Sequence, residues 1–137
     1  MDRISWDDYF LVIAKAVSTR STCPRSSIGV VLVKDKHILS TGYNGAPQGK
    51  DHCTDVGCIV IDEHCQRAIH AETNAIAQAL KFGINCQGAT LYLHSIDKVV
   101  CRECAKLLIA SEVIDVVSST LGVGWHEEIV WPESVMR

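Results

Sequence analysis

The stretch TLYLHSIDKVVCRECAKLLIASEVIDVV, residues 90–117, decides how the chain is read. Thr90 to Leu93 and Val113 to Val117 are short apolar runs of strand type. Between them, Arg102 to Ala110 sets Ala105, Leu108 and Ile109 on one face at helical spacing. Strand, helix and strand in this order predict a right-handed parallel crossover. Cys101 and Cys104 stand at i and i+3 where that helix begins, a spacing that aims both sulfurs the same way.

Toward the N-terminus, residues 70–82 form a second helical pattern. Ala71, Ala75, Ile76, Ala79 and Leu80 make its apolar stripe, and Gly83 is placed to cap it. Ile28 to Val33 is continuous and mostly β-branched, which predicts a strand covered on both faces. Lys34-Asp35-Lys36 turns the chain, and His37 to Gly42 returns as the partner strand of a hairpin. Ser5, with Asp8 three residues on, resembles a helix start. Tyr9, Phe10, Ile13, Ala14 and Val17 then continue a helix over residues 6–19. From Tyr43 to Arg67 the pattern breaks at Gly45, Pro47, Gly49 and Gly57. A loop of that length calls for something to tie it together, such as a metal ion. The sum is one α/β domain over residues 1–137. It is expected to have three α-β-α layers around a mixed sheet, with a hairpin followed by a parallel β-α-β unit. Residues 121–137 carry no readable pattern.

The 137 residues suit a single core, and 47% apolar with 21% charged residues is an ordinary globular balance. A net charge of −3 and the lack of an aromatic-basic stripe argue against a polymeric nucleic acid partner. No apolar run is long enough to span a bilayer, and Met1 to Asp8 lacks a signal-peptide core, so the expected compartment is the cytoplasm. Seven cysteines in a reducing compartment read as metal ligands sooner than as disulfides.

The chemistry centres on His70-Ala71-Glu72 and Cys101-Arg102-Glu103-Cys104. A helix N-terminus favours the thiolate that a metal needs. One imidazole and two thiolates suit zinc, and three protein ligands leave a position for water. Glu72, two residues beyond His70, is placed to move protons to and from that water. His-x-Glu together with Cys-x-x-Cys is the pattern of the zinc-dependent nucleobase deaminases. Cys23, Cys53, Cys58 and Cys65 form a second candidate site, structural and closed, with His52 and His64 as alternate ligands. Cys86 has no evident partner.

The chain resembles the deoxycytidylate (dCMP) deaminases of the cytidine deaminase superfamily, especially the bacterial and phage forms that include the late-competence ComE-operon type. The resemblance runs from about Ile4 to Val117. It is carried by Ser21-Thr22-Cys23-Pro24-Arg25, Ser40-Thr41-Gly42-Tyr43-Asn44-Gly45, His52-Cys53, Gly57-Cys58, His64-Cys65, Ile69-His70-Ala71-Glu72-Thr73-Asn74-Ala75-Ile76, Gly88-Ala89-Thr90-Leu91-Tyr92 and Cys104-Ala105-Lys106. It implies a cytidine deaminase-like fold and zinc-dependent hydrolysis of dCMP to dUMP and ammonia. The alternatives are another cytosine substrate (dCTP, a modified dCMP, cytidine) or a non-catalytic zinc or nucleotide-binding module.

The resemblance further implies a sugar contact for Asn44 and an effector role for Gly42, Tyr43, Asn44 and Gly45, with dCTP activating and dTTP inhibiting. It also implies a homo-oligomer, hexamer or dimer, with Tyr43 at a subunit contact. Ala71, Ser95 and Arg25 are further candidates for substrate contact. Arg25, Lys50 and Arg102 are candidates for the phosphate, and Trp125 or His126 for the nucleotide pocket. The sequence departs from the family before the second motif: Val100 replaces the usual proline, and the loop from Leu93 to Cys101 is longer, which alters a wall of the base pocket.

Overall fold

The computed structural model describes residues 2–96 and 100–119. Helix α1 (Trp6–Ser18) is capped by Ser5, whose hydroxyl accepts the Asp8 N–H at 3.0 Å. Strands β1 (Gly29–Lys34) and β2 (His37–Tyr43) form the predicted hairpin. Asp35 and Lys36 both take positive φ at its tip, 50° and 62°, the hand of turn that matches the twist of the two strands.

The segment read as a loop holds structure of its own. It contains the four-residue helix α2 (Cys53–Val56) and a miniature hairpin of β3 (Val60–Ile61) and β4 (His64–Cys65). Elements this short leave no periodic signal, which is why the sequence does not reveal them. Helix α3 (Ala71–Lys81), strand β5 (Thr90–His94), helix α4 (Arg102–Ala110) and strand β6 (Asp115–Ser118) follow.

The sheet order is β2-β1-β5-β6. β1 is antiparallel to both of its neighbours, and β5 and β6 are parallel across the α4 crossover, as expected. Alternate residues of β1 serve opposite faces. Val31 and Val33 meet Phe10 and Ala14 of α1, with Tyr92 and Val117 beside them. Val30 and Leu32 join Leu91, Leu93, Ala71, Ala75, Ala79, Ala105 and Leu108 beneath α3 and α4. These are the three predicted layers. The Tyr92 hydroxyl donates to Asp7 Oδ1 at 2.7 Å and ties α1 to the sheet. One expectation is corrected: Leu80 is not part of the buried stripe but 79% exposed. Apart from Glu72, burial on α3 falls instead on the small residues Ala71, Ala75 and Ala79, because this face of the helix lies too close to β2 for larger ones.

Gly42 makes that closeness possible. A methyl built on it would meet Ala71 O at 2.3 Å and Ala75 N at 2.6 Å, both backbone atoms that cannot step aside. The Ser40 hydroxyl reinforces the contact by donating to Ala75 O at 2.9 Å. Gly42→Ala is therefore expected to lower stability by at least about 2 kcal/mol, in the upper range of overpacking costs. Urea denaturation checks this, and an unchanged midpoint would contradict the close approach of α3 to β2.

Candidate active site

Strand register brings the chemistry to one end of the sheet. Gly29 of β1 lies opposite both Tyr43 of β2 and His94 of β5. The chain entering β1, the chain leaving β2 and the chain leaving β5 therefore emerge together. His70 is the N-cap of α3 and Cys101 the N-cap of α4. The approach to His70 is pinned by a bridge to the end of β2: Gly45 N donates to Ile69 O at 3.1 Å, and Ile69 N to Gly45 O at 2.8 Å. The Asn74 amide donates to Tyr43 O at 2.8 Å across the same junction.

His70 Nδ1 lies 3.5 Å from Cys101 Sγ and 3.4 Å from Cys104 Sγ. All three ligand atoms fall within 4.8 Å of one another. Around a tetrahedral zinc ion, ordinary Zn–S and Zn–N bond lengths separate an imidazole nitrogen from a thiolate by roughly 3.5 Å. The donor set and its spacing fit that ion. The Cys104 thiol and the His70 ring hold Cys101 down to about 4 despite its partial burial. Cys104 is pushed up, as the proton-bearing partner of Cys101 and a buried thiol, while Cys101 in turn raises His70. The Cys104 N–H also donates toward Cys101 Sγ at 3.5 Å, which supports the charge at the helix start.

Glu72 sits in the first turn of α3 at 3% exposure. Burial lifts its carboxyl above the usual carboxylate range. A cavity of about 290 Å³ opens onto His70, Glu72 and Cys101, with Asn44, Arg25 and Ile28 on its walls. Cys104, 3% exposed, lies behind them.

A second cluster stands at the same cavity. Cys53, Cys58 and Cys65 bring their sulfurs within 4.8 Å of one another, and Cys53 Sγ is 3.5 Å from Cys65 Sγ. Cys23 is near enough to Cys58 for their charges to interact. Burial opposes a charge on Cys65, but the backbone N–H groups of Ala68 and Arg67 and the Cys53 thiol outweigh it and bring Cys65 down to about 6. Cys53 is pushed up to about 12 by burial and by Cys65 and Cys58. Both Cys23 and Cys65 reach the 290 Å³ cavity.

The remaining predicted residues fall in several places. The His52 ring bonds Thr22 Oγ1 through Nδ1 at 2.9 Å and faces a different cavity, of about 640 Å³, beside Gly42, Tyr43 and Asn74. Asn44 is buried; its oxygen accepts Ile28 N–H at 2.9 Å and its amide donates to Ser26 O at 2.7 Å. The exposed Arg25 donates to Glu63 O at 3.0 Å at the cavity rim. Ala71 is fully buried beneath the site. Ser95 is buried at the end of β5, where its N–H donates to Ser119 Oγ at 3.2 Å. Lys50 is exposed and Cys86 belongs to the core. Trp125, His126 and the side chains of His64 and Arg102 lie outside the described residues. Ser26, Ile28, Glu63 and Ala68 line the cavity without having been foreseen. Ser26 and Ile28 are brought there by the entry to β1, and Glu63 and Ala68 by the β3–β4 hairpin and the chain that follows it, an element too short to be read from sequence.

Residues 4–120 match the family model described as the cytidine and deoxycytidylate deaminase zinc-binding region. ComE operon protein 2 of Bacillus subtilis (strain 168) is 45% identical over 113 residues, covering 82% of this chain and 58% of that protein. The chain thus spans little more than half of that relative's length. Deoxycytidylate deaminase of Mycobacterium phage D29 is 38% identical over 128 residues, 85% of this chain and 96% of that one. The solved dCMP deaminase from the cyanophage S-TIM5, in complex with dCMP and dUMP, superposes with a TM-score of 0.71 at 26% identity, covering 86% and 83% of the two chains. The family match takes in both helix starts on which His70, Cys101 and Cys104 converge, and on that length of agreement the chain belongs to the cytidine and deoxycytidylate deaminases of the zinc-binding family.

Proposed function

We propose that this protein hydrolyses dCMP to dUMP and ammonia, with His70, Cys101 and Cys104 holding a catalytic zinc ion and Glu72 carrying the protons. The observation that bears most weight is a three-ligand cluster beside one buried carboxylate, both opening on a single cavity. The choice of dCMP follows the phage D29 relative and the dCMP and dUMP complex of the cyanophage enzyme. Bound zinc supplies the Lewis acidity that ionises water near neutral pH. Glu72 receives the proton of the attacking water on its carboxylate. It delivers that proton to N3 of the base as C4 becomes tetrahedral, then takes the proton of the new C4 hydroxyl and passes it to the departing amine, so that the C4–N bond breaks as the C4 carbonyl forms. The raised affinity of Glu72 for a proton suits both halves of this shuttle.

Asn44 uses one amide hydrogen and one lone pair on Ser26 and Ile28, which leaves one of each for the sugar hydroxyl. Arg25 at the rim is the candidate for the phosphate. Cys53, Cys58, Cys65 and Cys23 hold a second, structural zinc ion. This is supported by the tight packing of the first three sulfurs and by the backbone N–H groups turned toward Cys65. The 640 Å³ cavity beside Gly42 and Tyr43 is the candidate effector site for dCTP and dTTP, in a homo-oligomer.

Ammonia release measured across dCMP, dCTP, deoxycytidine and a single-stranded oligonucleotide should be fastest with dCMP, and adding dCTP or dTTP should change the dCMP velocity in opposite directions. Faster release from another substrate would replace dCMP in this reading. Glu72→Ala should retain zinc and lose turnover by at least about 100-fold, the scale of a lost general acid–base; undiminished turnover removes the shuttle. Metal analysis should return about two zinc ions per chain, one for each ligand set. A value of one, unchanged in Cys65→Ser, removes the structural site.

A further inference from the structure

Thr73 follows Glu72 on α3 and is half-buried against α4. Its hydroxyl oxygen lies 3.8 Å from Cys104 Sγ. A threonine in a helix commonly turns its hydroxyl back onto the carbonyl four residues earlier. Here that carbonyl is Ile69 O, which already accepts the Gly45 N–H at 3.1 Å and faces the Asn74 amide at 3.5 Å. The carbonyl three residues earlier, His70 O, accepts the Asn74 N–H at 3.0 Å. Among the described residues, the contact the Thr73 hydroxyl makes is with the Cys104 sulfur on the facing helix.

The two cysteines are served differently. Cys101, at the helix cap, receives the backbone N–H of Cys104. Cys104 sits one turn in and is 3% exposed, away from water. A thiolate at that depth gains from any donor aimed at it.

We infer that Thr73 is a positioning residue that donates its hydroxyl hydrogen to the Cys104 thiolate and so sets how much charge that sulfur gives to the bound ion. A hydrogen bond to a ligating sulfur withdraws electron density from it and leaves the ion more acidic, as other outer-shell partners of metal ligands do. This rests on the assignment of Cys104 as a zinc ligand.

Cobalt(II) in place of zinc gives the test, because a thiolate bound to it produces a charge-transfer absorption whose energy follows the charge on sulfur. In the fully loaded protein, Thr73→Val keeps the shape and removes the donor. Its absorption should move to longer wavelength than wild type, while Thr73→Ser, which restores the hydroxyl, should return it. The difference spectrum cancels any cobalt held equally at the second cluster. A Thr73→Val spectrum superimposable on wild type overturns the inference, as does a Thr73→Ser spectrum matching Thr73→Val. Cys104→Ser separates the two levels: if it leaves the absorption unchanged, the metal-ligand assignment itself fails.

Discussion

The backbone of α3 rests directly on β2, because position 42 has no side chain to hold them apart. That contact sets the height of the helix above the sheet, and with it the place of His70 at its N-cap and of Glu72 in its first turn. The bridge from Gly45 to Ile69 and the Asn74 amide then fix the rotation of that turn. Once α3 is held in this way, the parallel crossover through α4 brings Cys101 and Cys104 to the imidazole. Both helices also aim the positive ends of their dipoles at the same point, where they steady thiolate charge.

The electrostatics of the site follow from crowding. Cys101 gives up its proton easily, Cys104 keeps its own, and His70 is drawn toward the charged form by its neighbour. A divalent cation held by the three would resolve this competition, since it would serve all three donors at once. Glu72 experiences the opposite pressure. Its burial disfavours the charged form and raises its affinity for a proton, which suits the proposed acid–base role.

The second cysteine cluster also borders the candidate active site. Cys23 and Cys65 stand on the wall of the cavity that contains His70 and Glu72, so the fold of residues 53–65 helps shape that cavity. Short elements such as α2 and the β3–β4 hairpin bury little apolar area of their own, and Val60 and Ile61 are about half exposed. A metal ion held by the three sulfurs, as proposed, would substitute for the missing core.

Periodicity and spacing in the sequence determined the main strands and helices, the hairpin, the crossover and the residue types of the two cysteine-containing clusters. Each of these depends on local repeat or on chemistry carried by residue type. Tertiary structure alone decided that Asn44 is engaged by the backbone at Ser26 and Ile28, that the His52 ring meets the Thr22 hydroxyl, and that Leu80 faces solvent. It also set the Thr73 hydroxyl beside Cys104 and joined the two cysteine sites through one cavity. These are relations between segments distant in the chain. They are set by strand register and by how closely a helix can approach a sheet, and neither quantity is written in any single stretch of residues.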